Sequence, residues 1–370
     1  MDRGLRLAGC VTHAGCMALE EGRGIQRQFP QPRRVSGFWL GPNSTLAFSP
    51  LMLYGTMNFV DLFCGAGGWT TGLKQAGLRH VVGVEHDPSF AATYAANHRH
   101  VLCRDVAAVT KADLESFLKG RQLHLLAASP PCTSFSTQGM RKAGDARDLL
   151  YRQAIRIAKE LSVPYVVLEN VTGVLSKRAG GTKSFAAKIL QDFARAGYDM
   201  QVHLVSAADH GVPQRRRRAI FLGARRPLAV PQLPPPLRGY DASVGRFLLP
   251  DARVPERYFL TAHLAKQFAD RTKRARARGS GWTLQVVDPR QPAFTLTSHY
   301  WANSGYYGLV RVTSHKGYRM MTPSECAAIM GFPARYKWGT ADESKVYKML
   351  GNAVCPPLAK RIGQAVVASA

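Results

Sequence analysis

The sequence predicts an α/β protein built on a doubly wound parallel sheet, with a smaller inserted domain. Three observations carry that expectation. Short apolar runs alternate with helix-period segments from residue 58 onward. Acidic residues close or follow successive runs, where the strands of such sheets end. A proline- and arginine-rich stretch from about 224 to 318 then breaks the pattern before helical signals return.

The elements follow in order. Asn58-Phe59-Val60-Asp61-Leu62-Phe63 is a buried-strand run, followed by a helix over about 67–76, a strand at 80–85 and a helix at 89–97. A strand at 100–104, a helix at 111–119 and a strand at 123–128 come next. Leu150, Ala154, Ile157 and Leu161 share one helix face, Tyr165–Leu168 reads as a strand, and Phe185, Ile189 and Phe193 mark another helix. Strands near 200–206 and at Ala219–Leu222 close the first domain, 57–223. The insert, 224–318, reads as irregular, with basic residues Arg271, Lys273, Arg274, Arg276 and Arg278 in its middle. Thr322-Pro323-Ser324-Glu325 forms a capping box with proline at the first helical position, opening the segment 319–370. Its tail, Asn352–Ala368, reads as one final helix returning to the first domain. Residues 1–56 show no sustained periodicity and read as a loose extension or an over-long start.

Composition narrows the partners. Lys+Arg 50 against Asp+Glu 24 leaves a formal charge of +26, which points to a polyanion, although an arginine-rich proteome produces part of such an excess. No apolar stretch is long enough to span a bilayer, and Leu5–Val11 is too short for a secretory signal. The seven cysteines form no CxxC pair or His/Cys metal spacing, so a reduced cytoplasmic protein without structural metal is expected.

Four clusters carry chemistry. Asp61-Leu62-Phe63-Cys64-Gly65-Ala66-Gly67-Gly68 joins a strand to a helix, and its glycines let backbone approach a ligand at the helix start. Glu85 closes the second strand, where carboxylates accept ribose hydroxyls, and Asp105 follows the third. Together these suggest an adenosine-type ligand; singly, each acid reads as a helix cap. Ser129-Pro130-Pro131-Cys132 holds a thiol on a proline-stiffened turn past a strand. Glu169-Asn170 emerges at the same edge, either as a proton donor with a carboxamide or as a solvated acid with a capping asparagine. In Gln214-Arg215-Arg216-Arg217-Arg218, an extended chain puts Arg216 and Arg218 on one face, aimed at the site, and Arg215 and Arg217 on the other.

These blocks in this order resemble the DNA (cytosine-5)-methyltransferases of bacterial restriction-modification systems. The blocks are DLFCGAGG (61–68), VEHD (84–87), SPPCTSFSTQG (129–139), LENV (168–171), QRRRR (214–218), RMMTPSECAAIMGFP (319–333) and LGNAV (350–354), so the likeness covers about 57–368. The resemblance implies a Rossmann-like sheet binding S-adenosylmethionine, with Phe63 on the adenine, Glu85 on the ribose, and Gly65, Gly67, Asp105, Pro131 and Asn352 completing the pocket. It makes Cys132 the nucleophile, sets Glu169 against cytosine nitrogen 3, and puts Arg216 and Arg218 at the family's two motif arginines. Ser134–Gly139, including Ser136, fall in the loop that closes over a flipped base. Gln214, Thr295, Leu296 and the cluster arginines Arg271, Arg274 and Arg276 are the expected DNA contacts. Double-stranded DNA is the implied partner of a monomeric, nucleoid-associated enzyme, with a restriction endonuclease acting separately. The chain departs from the family at Thr133, where many members have glutamine, and at Ser129, where many have glycine. An amino-methylating enzyme would have no use for the cysteine. An RNA-methylating branch shares the motifs, and a dinucleotide-dependent dehydrogenase or a catalytically dead DNA-binding module are the rivals from other classes.

Overall fold

The computed structural model of the chain describes residues 56–131, 146–178, 184–280, 284–302, 308–312, 317–339 and 342–370. The expected extension up to residue 55, together with Cys132 and Ser136, lies outside the described residues.

The chain alternates as its apolar runs predict: β1 (Asn58–Leu62), α1 (Gly68–Gln75), β2 (Arg79–Glu85), α2 (Pro88–His98), β3 (Val101–Cys103), α3 (Lys111–Leu118) and β4 (Leu125–Ala128). There follow α4 (Tyr151–Glu160), β5 (Tyr165–Val171), a single turn α5 (Gly173–Ser176), α6 (Phe185–Arg195), β6 (Tyr198–Ser206) and β7 (Arg217–Arg225). Local chemistry sets the helix starts: the Asp87 carboxylate caps α2 ahead of Pro88, and Thr110 with Asp113 makes a capping box on α3. The strands hydrogen-bond in the order β3-β2-β1-β4-β5-β7-β6. The order reverses between β1 and β4, the switch point at which such sheets bind ligands.

The sheet is parallel from β3 to β5 but not throughout. β7 runs antiparallel to both β5 and β6, which corrects the all-parallel expectation. The link from β6 to β7 contains only a short 3-10 turn, Ala207–His210, whereas a parallel return needs a crossover of a dozen or more residues. The reversal brings the start of β7 to the edge where the parallel strands end: Arg218 pairs with Val171, and Ile220 with Glu169.

Side chains alternate between two cores across the sheet. Phe59, Leu125, Ala127, Val167 and Leu222 face one cluster, and Val60, Leu62, Leu126, Val166 and Phe221 the other. The first cluster also takes in Val244, Tyr258, Leu296 and Tyr300, so the insert shares the core of the sheet domain.

The insert is less irregular than its composition suggests. It contains α7 (Ala262–Ala277), capped by Thr261, and the strands β8 (Val310–Arg311) and β9 (Tyr318–Arg319) pair at its end. Helix α7 buries only Ala275, so its sequence carries no apolar stripe by which to recognise it. The capping box at Thr322 and Glu325 opens α8 (Pro323–Met330) as expected. The expected final helix is α10 (Pro356–Ala368), which begins a turn later than Asn352, and a further helix, α9 (Glu343–Asn352), precedes it. Pro356 and Pro357 force the break, because the residue before a proline avoids the helical region.

Candidate active site

The strand ends surround a cavity of about 1300 Å³. Its floor on one side is the loop between β1 and α1. Phe63, Cys64, Gly65 and Ala66 line it, and Gly67 takes the N-cap of α1 with φ 84°. A side chain at Gly67 would stand 2.6 Å from the His98 ring, so backbone conformation and space both demand glycine. Glu85, buried at the end of β2, braces the loop: one carboxylate oxygen accepts from Gly65 N at 2.9 Å and the other from Asp87 N at 2.9 Å. Beneath the loop Thr71 Oγ1 donates to Gly67 O, and the Tyr336 hydroxyl donates to Ala66 O.

Asp61 anchors the same floor. Its Oδ2 accepts from Thr70 Oγ1 at 2.8 Å, yet burial pushes its carboxyl up to about 7. His80 and His98, packed with Tyr94 under the loop, are held down to about 3, chiefly by burial. Cys64 borders the cavity, but burial, reinforced by the Asp61 and Glu85 carboxylates, pushes its thiol far up and keeps it from acting as a thiolate.

The opposite wall carries the other chemistry. Ser129, Pro130 and Pro131 line it immediately after β4, with the Trp69 indole Nε1 donating to Ser129 Oγ at 3.0 Å. Glu169 and Asn170 lie within β5, which runs to Val171 and so beyond the expected Leu168. Arg218 Nε lies 2.7 Å from Glu169 Oε1, a close charge pair whose N–H is not aligned as a hydrogen bond. Glu169 is 6 % exposed, so the pair sits in a partly dry pocket where charge interactions are strong. Arg215, Arg217, His299 and Lys348 add positive charge or donors around the mouth.

The C-5 cytosine-specific DNA methylase model matches residues 57–368. The chain belongs to that family. Among its relatives, the Type II methyltransferase M.NgoPII of Neisseria gonorrhoeae is 29 % identical over 339 residues, covering 85 % of this chain and 96 % of that one. The Type II methyltransferase M1.HphI of Haemophilus parahaemolyticus is 27 % identical over 84 % of this chain and 87 % of its own length. The methyltransferase EhMeth of Entamoeba histolytica shares the fold at a TM-score of 0.67 and 16 % identity, over 85 % of this chain and 98 % of that one.

Within this C-5 cytosine DNA methylase the structure sorts the sequence-derived residues into groups. Phe63, Gly65, Glu85, Pro131, Glu169, Arg218, Thr295 and Asn352 all border the cavity. Asp105 does not: it is exposed and uses its carboxylate to cap the turn after β3 through Ala107 N. Arg216 touches the cavity but is only 2 % exposed, and its guanidinium donates to Leu296 O, Gly351 O and Ala353 O. Burial and the adjacent Arg218 charge push it down to about 10. The expectation that Arg216 shares a catalytic face with Arg218 is therefore corrected. Arg216 precedes β7 where the chain is not yet in the ladder, so strand alternation does not govern it. Gln214 and Leu296 are also corrected. Both are buried, with Leu296 N donating to Gln214 Oε1, so neither side chain lies on an open surface. They tie the insert to β7 instead, beside a bridge between Gln214 and Ala293. Arg271, Arg274 and Arg276 are exposed on α7. Sequence reading passed over Trp69, His98, Tyr336 and Lys348. Lys348 and Asn352 share a face of α9 at i, i+4 spacing, on a helix that precedes the expected tail helix.

Proposed function

We propose that the chain methylates carbon 5 of cytosine within a specific double-stranded DNA sequence, using S-adenosylmethionine, through a covalent adduct of Cys132 with a flipped base. The observation that supports this most is the Glu169–Arg218 pair at 2.7 Å, on the cavity that also holds the Gly65 loop, Glu85 and the turn leading to Cys132. The pocket fits the methyl donor in its chemistry. Glu85 offers a carboxylate to ribose hydroxyls, Phe63 and Phe90 offer aromatic faces, and Gly65 presents bare backbone to the cavity at a positive φ of 52°. When bound, S-adenosylmethionine supplies an electrophilic methyl group.

The chain's own residues do the rest. Cytosine carbon 5 is a poor nucleophile until a thiolate adds to carbon 6, which shifts an electron pair toward carbon 5. Cys132 forms that carbon–sulfur bond. Glu169 holds a proton at ring nitrogen 3 and Arg218 meets the ring carbonyl, stabilising the adduct where its charge develops. Loss of the carbon 5 proton after methylation returns the electron pair and expels the thiolate. Neither ring carbon is accessible inside a duplex, so the base must leave the stack. Exposed Lys and Arg side chains supply phosphate contact, and the insert reads the bases. The chain acts as a cytoplasmic, nucleoid-associated monomer beside a separate endonuclease; the Type II methyltransferases among its relatives support the modification role.

Transfer of tritiated methyl groups to duplex DNA, against tRNA as the alternative, tests the substrate. Bisulfite sequencing of host DNA carrying the gene locates the target. A duplex with 5-fluorocytosine at that target should trap an adduct on Cys132, and Cys132→Ala should lose turnover while still binding S-adenosylhomocysteine. An adduct on another cysteine, or turnover by the alanine variant, refutes the mechanism.

A further inference from the structure

Ser129 opens the turn that leads from β4 to Cys132, and in the fold it meets Trp69. The indole lies in the first turn of α1, 2 % exposed, and its Nε1 donates to Ser129 Oγ at 3.0 Å. A buried indole N–H needs an acceptor, and a glycine at 129 would supply none. The backbone of Ser129 is also held, its N–H donating to Leu62 O at 3.3 Å as the last bond between β4 and β1. One residue is thus tied by its main chain to the strand before the glycine loop and by its side chain to the helix after it.

The residues after Ser129 carry that tie to the thiol. Pro130 is buried, Pro131 borders the cavity, and the next residue in the chain is Cys132. Two prolines in succession fix φ twice, so an orientation set at Ser129 is passed on with little slack. The other end of the tie, α1, begins at Gly68 directly after the loop proposed to cradle the methyl donor. We propose that Trp69 and Ser129 are a matched pair of positioning residues that hold the thiol-bearing turn in register with the donor loop. This rests on the thiol mechanism proposed for Cys132. Neither side chain exchanges a proton or electron pair with substrate; they act through the turn, where a displacement of an ångström is enough to slow attack.

The test is a double-mutant cycle in the full-length protein, using duplex DNA that carries the mapped target. Ser129→Gly and Ser129→Ala should each lower kcat by about tenfold, the size of coupling that contacting residues show, while leaving DNA KM and the dissociation constant for S-adenosylhomocysteine within about twofold. Trp69→Phe removes the donor, so adding it to Ser129→Gly should recover most of the missing kcat, and the rate of 5-fluorocytosine trapping should rise and fall in parallel. Multiplicative losses without recovery overturn the pairing, as does a loss confined to KM or to cofactor binding. Failure of the unmutated protein to trap at all overturns the thiol mechanism instead, which separates the two readings.

Discussion

Two arginines two residues apart have opposite surroundings. Arg216 is a buried cation that spends its donors on three main-chain carbonyls from the insert and from both sides of Asn352. Arg218 faces Glu169. Arg216→Met strands those carbonyls at about 1–3 kcal/mol each, so a clear drop in melting temperature is expected. Arg218→Met should instead cut turnover by about a hundredfold, as loss of one charge-stabilising donor does, with a smaller change in melting. Thermal denaturation beside methyl-transfer kinetics separates them, and the reverse pattern would exchange their roles. Asp61 gives a pH signature. Its folded carboxyl, at about 7, keeps a proton that the unfolded chain loses at the ordinary 3.8. Its contribution to stability is full below 3.8 and is lost as pH rises to about 7. His80 and His98 act in the opposite sense, costing stability as pH falls from 6.5 toward about 3. Asp61→Asn removes only the first effect, so its melting temperature should gain on the parent between about pH 4 and 7. A difference independent of pH would contradict the buried acid.

At the scale of elements, the sequence made legible whatever local physics decides. Continuous apolar runs reported β1, β2 and β4, and the Thr322–Glu325 box reported α8, because strand burial and helix capping are written in neighbouring residues. Strand direction is not local, and β7 came out reversed. The burial of Gln214, Arg216 and Leu296 depends on a meeting of segments about 80 residues apart, which no window contains. Helix α7 was hidden for another reason: it is solvated almost all round. That solvation suits phosphate contact, and replacing Arg274 or Arg276 by Gln should weaken binding to every DNA sequence alike. The slope of log affinity against log salt should fall by about one for each phosphate left without its arginine. An affinity loss confined to the target sequence would mean that these arginines read bases.

For the whole molecule, the described core begins at Met57, where the family match also begins. A chain starting there is expected to fold and to methylate DNA, and insolubility would show that earlier residues belong to the structure. Exchanging 224–318 for the corresponding segment of a relative should move methylation to the relative's target, read by bisulfite sequencing. An active chimera with the original pattern would put specificity elsewhere.

The junction between Gln214–Arg216 and Ala293–Leu296 constrains how such exchanges succeed. Ala293 N donates to Pro213 O, Arg215 N donates to Ala293 O, and Arg216 holds Leu296 O. The later part of the insert is thus sewn to the stretch that leads into β7, ahead of the point where the insert begins. A crossover placed before Ala293 leaves those stitches with their original partners, whereas one at 318 imports a foreign hem. Grafts, and recombination between natural genes, should therefore tolerate the earlier breakpoint better. New target specificities would then be traded as a cassette shorter than the insert itself.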